Sequence, residues 1–104
     1  ALARSVECGR IVATDAAFTF ADGLAVRCPV PASFEAIRTG ADRIVRVGDA
    51  AIAEAIRVLH EDTHNLAEGA GAAGLAALAQ ERADLPRGTK AAVILCGGNI
   101  DRAW

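Results

Sequence analysis

The sequence predicts an α/β fold with a mostly parallel sheet. Two runs have the composition of strands: 43–47, which is β-branched, and 91–95, which is continuously apolar. Helical patterns occupy 50–60 and 70–81, between the two runs. Strands that alternate with helices favour a parallel sheet covered by helices. Because two strands are too few to close such a core, we expect these residues to be part of a larger domain.

The composition is that of a globular chain. Hydrophobic residues make up 53% of the 104 residues and charged residues 23%, which excludes a disordered chain, and no apolar stretch is long enough to cross a membrane. The 11 Lys+Arg and 13 Asp+Glu residues are interspersed and give a formal charge of −2. Without a basic block, neither nucleic acid nor an anionic membrane is a predicted partner.

The cysteines indicate a reducing compartment. Cys8, Cys28 and Cys96 are odd in number and widely spaced, and no secretory signal precedes them. This pattern argues against a disulfide framework and against a zinc ribbon. We therefore expect a cytoplasmic location.

The first third of the chain predicts two helices joined by a long connection. Residues 1–9 have helix-forming composition and end at Gly9, a residue type typical of the position after a helix. The stretch 10–31 is expected to be irregular, because its Asp-Gly and Pro residues mark turns. Ser33 is the expected N-cap of a short helix over 34–39.

The middle of the chain predicts a strand and then an amphipathic helix. The β-branched run 43–47 is expected to be a short strand, and Asp49 is the expected N-cap of the helix over 50–60. Apolar residues recur in that helix at spacings of three and four, which predicts one buried face. They are Ile52, Ala55, Ile56 and Leu59.

The last third predicts a small-residue helix and a buried strand. The helix over 70–81 is rich in Ala and Gly, so another backbone can approach it closely, and a loop over 82–89 follows. The continuous apolar run 91–95 is expected to be a strand buried on both faces. Residues 99–104 have the pattern of a helix in its first turns.

A short pattern in the sequence predicts an alternative function as a small zinc hydrolase. The residues His60-Glu61-Asp62-Thr63-His64 match H-E-x-x-H, which on a helix places two imidazoles and a glutamate base around zinc. A catalytic zinc needs a third protein ligand, for which Glu68 and Glu81 are the candidates. The other interpretation is a solvated helix end, since chance matches to so short a pattern are common.

A glycine pattern at 69–74 also has two interpretations. It matches G-x-G-x-x-G, the turn that binds dinucleotides when it follows a strand. Here a helix and a short polar stretch precede it. Glycines that allow close packing of a crowded helix are the favoured explanation.

The end of the continuously apolar run is a candidate ligand site. The strand expected at 91–95 leads directly into Cys96, Gly97, Gly98 and Asn99. Ligands of open α/β sheets bind beyond the carboxyl ends of strands, and two glycines allow a flat ligand to approach the backbone. A tight turn with an inert cysteine explains the same residues.

Three ordered segments resemble one enzyme family closely. They are TFADGLAV at 19–26, DTHNLAEGAGAA at 62–73 and VILCGGNID at 93–101. Together they look like the C-terminal part of threonine/serine dehydratases (threonine ammonia-lyases), which are tryptophan-synthase-β-like, fold-type-II pyridoxal-phosphate enzymes. The resemblance covers essentially the whole chain and includes both short patterns described above.

The resemblance implies elimination of the hydroxyl group from L-threonine or L-serine, giving a 2-oxo acid and ammonia. Pyridoxal 5′-phosphate is the implied cofactor and electron sink. In the family, the position of Cys96 hydrogen-bonds the pyridine nitrogen. Gly97 and Gly98 are implied to form the wall beside the ring, Glu68 to lie near the ring edge, and Gly23 to lie on the substrate side.

The Schiff-base lysine of the family is absent from this chain. It lies in an N-terminal segment, and the lone lysine here, Lys90, is better interpreted as a solvated turn residue. We therefore expect 1–104 to be an incomplete, C-terminal portion of a catalytic domain, with no catalytic residue and no metal ligand assigned in it. The resemblance also implies a homo-oligomer as the full-length protein, acting on a small amino acid. A non-catalytic module of the same fold is the remaining alternative.

Overall fold

A computed structural model describes residues 1–101, and helices are its regular elements. Their bounds are α1 Leu2–Cys8, α2 Pro31–Gly40, α3 Asp49–Thr63 and α4 Gly69–Glu81, with 3₁₀ turns at Asp22–Leu24 and Arg82–Asp84. The chain divides into two compact units. The first comprises Ala1–Thr19 and Leu24–Arg46, and the second comprises Phe20–Gly23 and the chain from Val47 onward.

In the first unit, α1 ends where the sequence predicts. Gly9 follows α1 in the left-handed conformation, with φ of 66°, and its N–H donates to the Val6 carbonyl at 3.2 Å. This conformation favours glycine because a Cβ would be strained there. The prediction of Gly9 as the residue that follows the helix is therefore confirmed.

Helix α2 begins earlier than the sequence predicts. Its N-cap is Val30 and its first residue is Pro31, so the assignment of Ser33 as N-cap is wrong. Proline suits the first helical position because its φ is already helical and its missing N–H has no partner to lose there. Within the helix Phe34 is buried, with 7% of its surface exposed.

In the second unit, α3 and α4 pack against each other and form the core. Both predicted helices are confirmed, and the predicted apolar face of α3 supplies buried Ile52 and Ala55 together with partly buried Ile56 and Leu59. The other fully buried core residues are alanines: Ala21, Ala67, Ala72 and Ala76. Alanine at these positions allows the two helices to approach closely.

Asp49 is not the N-cap of α3 as predicted. The cap is Gly48, and Asp49 is the first helical residue. Its Oδ2 accepts the Phe20 N–H at 3.4 Å, which ties the 20–23 segment to the start of α3. A carboxylate in the first turn is also favoured by the helix dipole.

Neither predicted strand is formed within residues 1–101. The runs 43–47 and 91–95 lack a β-ladder, and Ile94 is 83% exposed although the sequence predicts burial on both faces. A helix makes its backbone hydrogen bonds locally, whereas a strand requires a neighbouring strand. No such neighbour for either run occurs in the described part of the chain.

The chain after α4 is irregular. The predicted loop over 82–89 contains a 3₁₀ turn and a turn in which the Thr89 N–H donates to the Pro86 carbonyl at 3.1 Å. Of the helix predicted over 99–104, Asn99 to Asp101 are not helical, and 102–104 lie outside the described residues. Among the helices described, none has the length and apolar character needed to cross a bilayer.

Candidate functional site

The start of α4 brings the predicted site residues together. Helix α4 begins at Gly69, with Glu68 as its N-cap residue. All five predicted site residues contact the chain between Leu66 and Gly71 or belong to it. They are Gly23, Glu68, Cys96, Gly97 and Gly98. All lie in the second unit.

The segment carrying Gly23 packs on the first residues of α4. A Cβ placed on Gly23 would lie 2.8 Å from the Ala70 Cβ, and one placed on Gly69 would lie 2.8 Å from the Ala21 Cβ. Only glycine permits both approaches, because such distances are shorter than van der Waals contact. The Gly23 N–H donates to Oδ1 of the preceding Asp22 at 2.8 Å.

Glu68 joins α4 to the segment that follows Cys96. Its N–H donates to the Gly97 carbonyl at 3.1 Å, and its Oε2 accepts the Asn99 N–H at 3.0 Å. The side chain makes no capping hydrogen bond to its own helix. Main chain and carboxylate of one residue thus hold two points of the 97–99 turn.

Glycines line both sides of this contact. A Cβ on Gly97 would overlap the Glu68 carboxylate, and a Cβ on Gly71 would overlap the Gly97 carbonyl oxygen. A Cβ on Gly98 would lie 2.7 Å from the Leu66 carbonyl oxygen. The absence of side chains here is therefore required by the approach of two backbone segments.

Cys96 presents its thiol beside the first turn of α4. The side chain is exposed, and its Sγ lies 4.0 Å from the Ala70 carbonyl oxygen. A thiol is a weak donor and a weak acceptor. An accessible thiol next to a wall of glycine backbone suits the nitrogen edge of a flat heteroaromatic ring, so the residues present fit this part of pyridoxal phosphate.

Sequence reasoning missed the residues that complete this arrangement. They are Leu66 and Ala70, which contribute carbonyl oxygens, and Gly71, which allows the close approach. Asn99 was part of the candidate ligand site, but its hydrogen bond to Glu68 was not predicted. For Ala70 and Gly71, the signal is the run of small residues at 69–74. Its interpretation as packing glycines is confirmed for Gly69 and Gly71, whereas Gly74 has only an ordinary contact with Val93.

The geometry of the H-E-x-x-H pattern is unfavourable for zinc. His64 is the C-cap of α3, in the left-handed conformation with φ of 56°, and its Nδ1 lies 3.3 Å from the His60 carbonyl oxygen. The second imidazole therefore does not continue the helical face of the first. Both side chains are exposed, and residues 1–101 contain no group of three potential metal ligands.

A separate cleft in the second unit contains none of the predicted site residues. It has a volume of about 850 Å³ and is lined by α3, α4 and the following segment through Ala91. Its lining is mainly alanine, leucine and valine, with arginines at 82 and 87. It is distinct from the arrangement at the start of α4.

Comparison with protein families identifies the family to which the chain belongs. A family model described as pyridoxal-phosphate dependent enzyme matches residues 1–97. The chain belongs to this family. Among curated members, it is 40% identical to L-threonine ammonia-lyase of Thermotoga maritima and 44% identical to L-threonine ammonia-lyase of Geobacter sulfurreducens, each over 97 residues. Each match covers 93% of this chain and 24% of the relative's length.

Solved structures of the pyridoxal-phosphate family share this backbone. The chain superimposes on a T.th. threonine deaminase with a TM-score of 0.87 and 37% identity, covering 96% of this chain and 35% of the other. Maize serine racemase gives the same TM-score at 28% identity, with 98% and 32% covered. The neighbours are fold-type-II enzymes, so the predicted fold family is confirmed, although no strand forms within the described residues.

Proposed function

We propose that the chain is the C-terminal portion of the catalytic domain of an ammonia-lyase that converts L-threonine or L-serine to a 2-oxo acid and ammonia. The observation that carries the proposal is the convergence of Gly23, Glu68 and the Cys96–Gly98 segment on the start of α4. The names of the two L-threonine ammonia-lyase relatives support the reaction. Because the chain spans about a quarter of their length, the activity is proposed for a longer protein.

Cys96 is the proposed partner of the cofactor's ring nitrogen. When bound, pyridoxal phosphate supplies an electron sink for elimination. The thiol of Cys96 is exposed and lies beside the first turn of α4, where it can serve as a weak hydrogen-bond donor or acceptor. Gly97 and Gly98 are the proposed wall beside the ring, and Glu68, which contacts both Gly97 and Asn99, holds that wall in place.

Gly23 is proposed to provide space on the substrate side. Its N–H already donates to Asp22 Oδ1, so we assign it no hydrogen bond to the substrate. Its packing against Ala70 fixes its position relative to α4. A side chain there would displace the 20–23 segment from the site.

The remaining parts of the catalytic domain are proposed to lie outside residues 1–104. These are the Schiff-base lysine, the loop that binds the phosphate, and the strands that pair with the runs 43–47 and 91–95 to complete a mostly parallel sheet. Lys90, the one lysine of the sequence, is exposed. We also propose a homo-oligomer and a cytoplasmic location for the longer protein.

The test is the absorption spectrum of the natural full-length polypeptide before and after borohydride. We expect a visible band that reduction abolishes, with the cofactor then attached to a lysine outside these residues. Incubation with L-threonine and L-serine should release ammonia and a 2-oxo acid in equal amounts. A colourless protein that binds no added cofactor would contradict the proposal, and release of D-serine without ammonia would replace the lyase with a racemase.

The role of Cys96 is tested by two substitutions in the same polypeptide. Loss of one hydrogen bond to a ring nitrogen in Cys96→Ala should weaken cofactor binding by about 2- to 12-fold. Cys96→Ser keeps a donor and acceptor and should bind as the parent does. Cofactor titration measures the affinity of the parent and both variants for pyridoxal phosphate. Equal affinities would show that Cys96 does not contact the cofactor.

A further inference from the structure

Glu68 uses both its main chain and its side chain to hold the turn after Cys96. The N–H of Glu68 donates to the Gly97 carbonyl, and its carboxylate accepts the N–H of Asn99, 31 residues away in sequence. Two contacts from one residue fix the position and the orientation of a short segment better than either alone. The segment they fix begins directly after the cysteine.

The carboxylate of Glu68 is committed to this contact. The residue occupies the N-cap position of α4, where a shorter acidic side chain would bond to the helix's own N–H groups. No such capping bond is formed, and the carboxylate extends to Asn99 instead. The length of the glutamate side chain is therefore what allows its carboxylate to reach Asn99.

The glycines show how tightly the turn and the helix are held together. A Cβ at position 97 would displace the Glu68 carboxylate itself, while one at 71 would displace the Gly97 backbone. The Glu68 carboxylate, Gly97 and Gly71 are therefore in close contact. Cys96, whose Sγ lies beside the Ala70 carbonyl oxygen, precedes that turn by one peptide bond.

We propose that Glu68 is a positioning residue, which sets the direction of the Cys96 thiol by holding the Asn99 N–H and does so without its charge. This inference rests on the proposed function in one respect, namely that Cys96 contacts the cofactor. Glu68 is then not itself a contact of the cofactor ring; it supports Cys96, which contacts the ring. Reach and an acceptor oxygen are the two properties that this role requires.

Two substitutions separate reach from charge in the natural full-length polypeptide. Glu68→Gln keeps the length and an acceptor oxygen but removes the charge. Glu68→Asp keeps the charge and is a favoured N-cap residue, so α4 remains stable, but it is one methylene too short to bond Asn99. Glu61→Ala is the control, because the Glu61 side chain is exposed on α3.

The first readout is amide hydrogen exchange of Asn99 without added cofactor. We expect Glu68→Asp to accelerate it by about tenfold or more, and Glu68→Gln and Glu61→Ala to leave it within about threefold of the parent. The second readout is alkylation by iodoacetamide, mapped by mass spectrometry. Cys96 should react faster in Glu68→Asp alone, while the exposed Cys8 and Cys28 serve as internal references.

The cofactor titration then tests positioning. Glu68→Asp should bind pyridoxal phosphate more weakly than Glu68→Gln. Aspartate behaving as the parent, or glutamine behaving as aspartate, in exchange and alkylation would overturn the proposal. A loosened turn with unchanged cofactor affinity would also overturn it. Exchange and alkylation compare variants of one polypeptide whether or not it carries the cofactor, so failure of the proposed function would be seen separately in the borohydride experiment.

Discussion

Ser5 shows how a single buried hydroxyl stabilises the first unit. It is fully buried, and its Oγ accepts the Val12 N–H at 2.9 Å while donating to the Ala1 carbonyl at 3.0 Å. The bond to Val12 holds the connection that follows α1 against the helix. The hydroxyl thus accepts a hydrogen bond from a backbone N–H, that of Val12, which lies outside any helix or strand.

We predict that Ser5→Ala lowers the free energy of unfolding by about 1–3 kcal/mol, because the Val12 N–H loses its partner. Ser33→Ala is the matched control. Since Ser33 is exposed and is not the N-cap, its replacement should change stability by less than about 0.5 kcal/mol. Urea denaturation followed by circular dichroism measures both. Equal effects of the two substitutions would show that the hydrogen bond between Ser5 and Val12 does not stabilise the protein.

One exposed ion pair gives the first unit a pH-dependent contribution. Arg38 donates to both Glu35 carboxylate oxygens, at 3.0 and 2.6 Å. These hydrogen bonds lower the pKa of Glu35; desolvation opposes them, and the charge of Arg38 lowers the pKa further. A lowered pKa means that the contribution is complete above the ordinary glutamate pKa and is lost as the pH falls through the lowered value.

We predict that Arg38→Gln raises the pKa of Glu35 toward its ordinary value, as measured by NMR titration of the side-chain carboxyl. Arg46→Gln should leave that pKa unchanged, because Arg46 pairs with Glu7 at 2.6 Å. The stability change at neutral pH should be small, since both partners of the Glu35 pair are exposed to solvent. A Glu35 pKa that is insensitive to Arg38 would contradict this account.

At the scale of elements, Gly71 and Gly74 of α4 have opposite roles. A Cβ on Gly71 would meet the backbone of Gly97, including its nitrogen at 3.0 Å. A Cβ on Gly74 would lie 3.5 Å from the Val93 Cβ, an ordinary contact. Replacing each glycine by alanine therefore separates two effects: the higher helix propensity of alanine, and the close approach of α4 to the backbone at Gly97, which requires glycine.

We predict that Gly74→Ala stabilises the protein by about 0.5–1 kcal/mol, because alanine favours the helix. Gly71→Ala should destabilise it by about 1–3 kcal/mol, because the backbone at 97 must move and the gain in helix propensity is smaller. Thermal unfolding of the two variants beside the parent gives the comparison. Stabilisation by both would mean that the 97–99 turn is not held against α4.

The helices were predictable from sequence because their hydrogen bonds and apolar spacing are local. The N-caps of α2 and α3 were predicted wrongly because the actual caps, Val30 and Gly48, make no side-chain capping hydrogen bond, and a search for polar side chains overlooks them. The strand predictions failed because pairing depends on residues far away or in another part of a protein. The hydrogen bond from Asn99 to Glu68 was missed for the same reason, as it joins residues 31 apart.

At the scale of the whole molecule, exposed apolar side chains show where further structure is expected. Ile94 is 83% exposed and Val93 40%, in a run whose composition is that of a buried strand. Scattered exposed apolar residues are normal, but a continuous run of them indicates a surface that another element covers. The proposed sheet of the longer protein is such an element.

Ile94 provides the test of that proposal in the natural full-length polypeptide. If strands outside residues 1–104 cover the 91–95 run, Ile94→Lys should bury an unpaired charge and lower the free energy of unfolding by more than about 3 kcal/mol. Ile94→Val keeps a β-branched apolar side chain and should cost only about 0.5–1.5 kcal/mol. If Ile94 instead remains exposed, both substitutions should stay within about 0.5 kcal/mol. Denaturant titration of the two variants therefore decides whether this run is an uncovered surface or the strand that leads into Cys96.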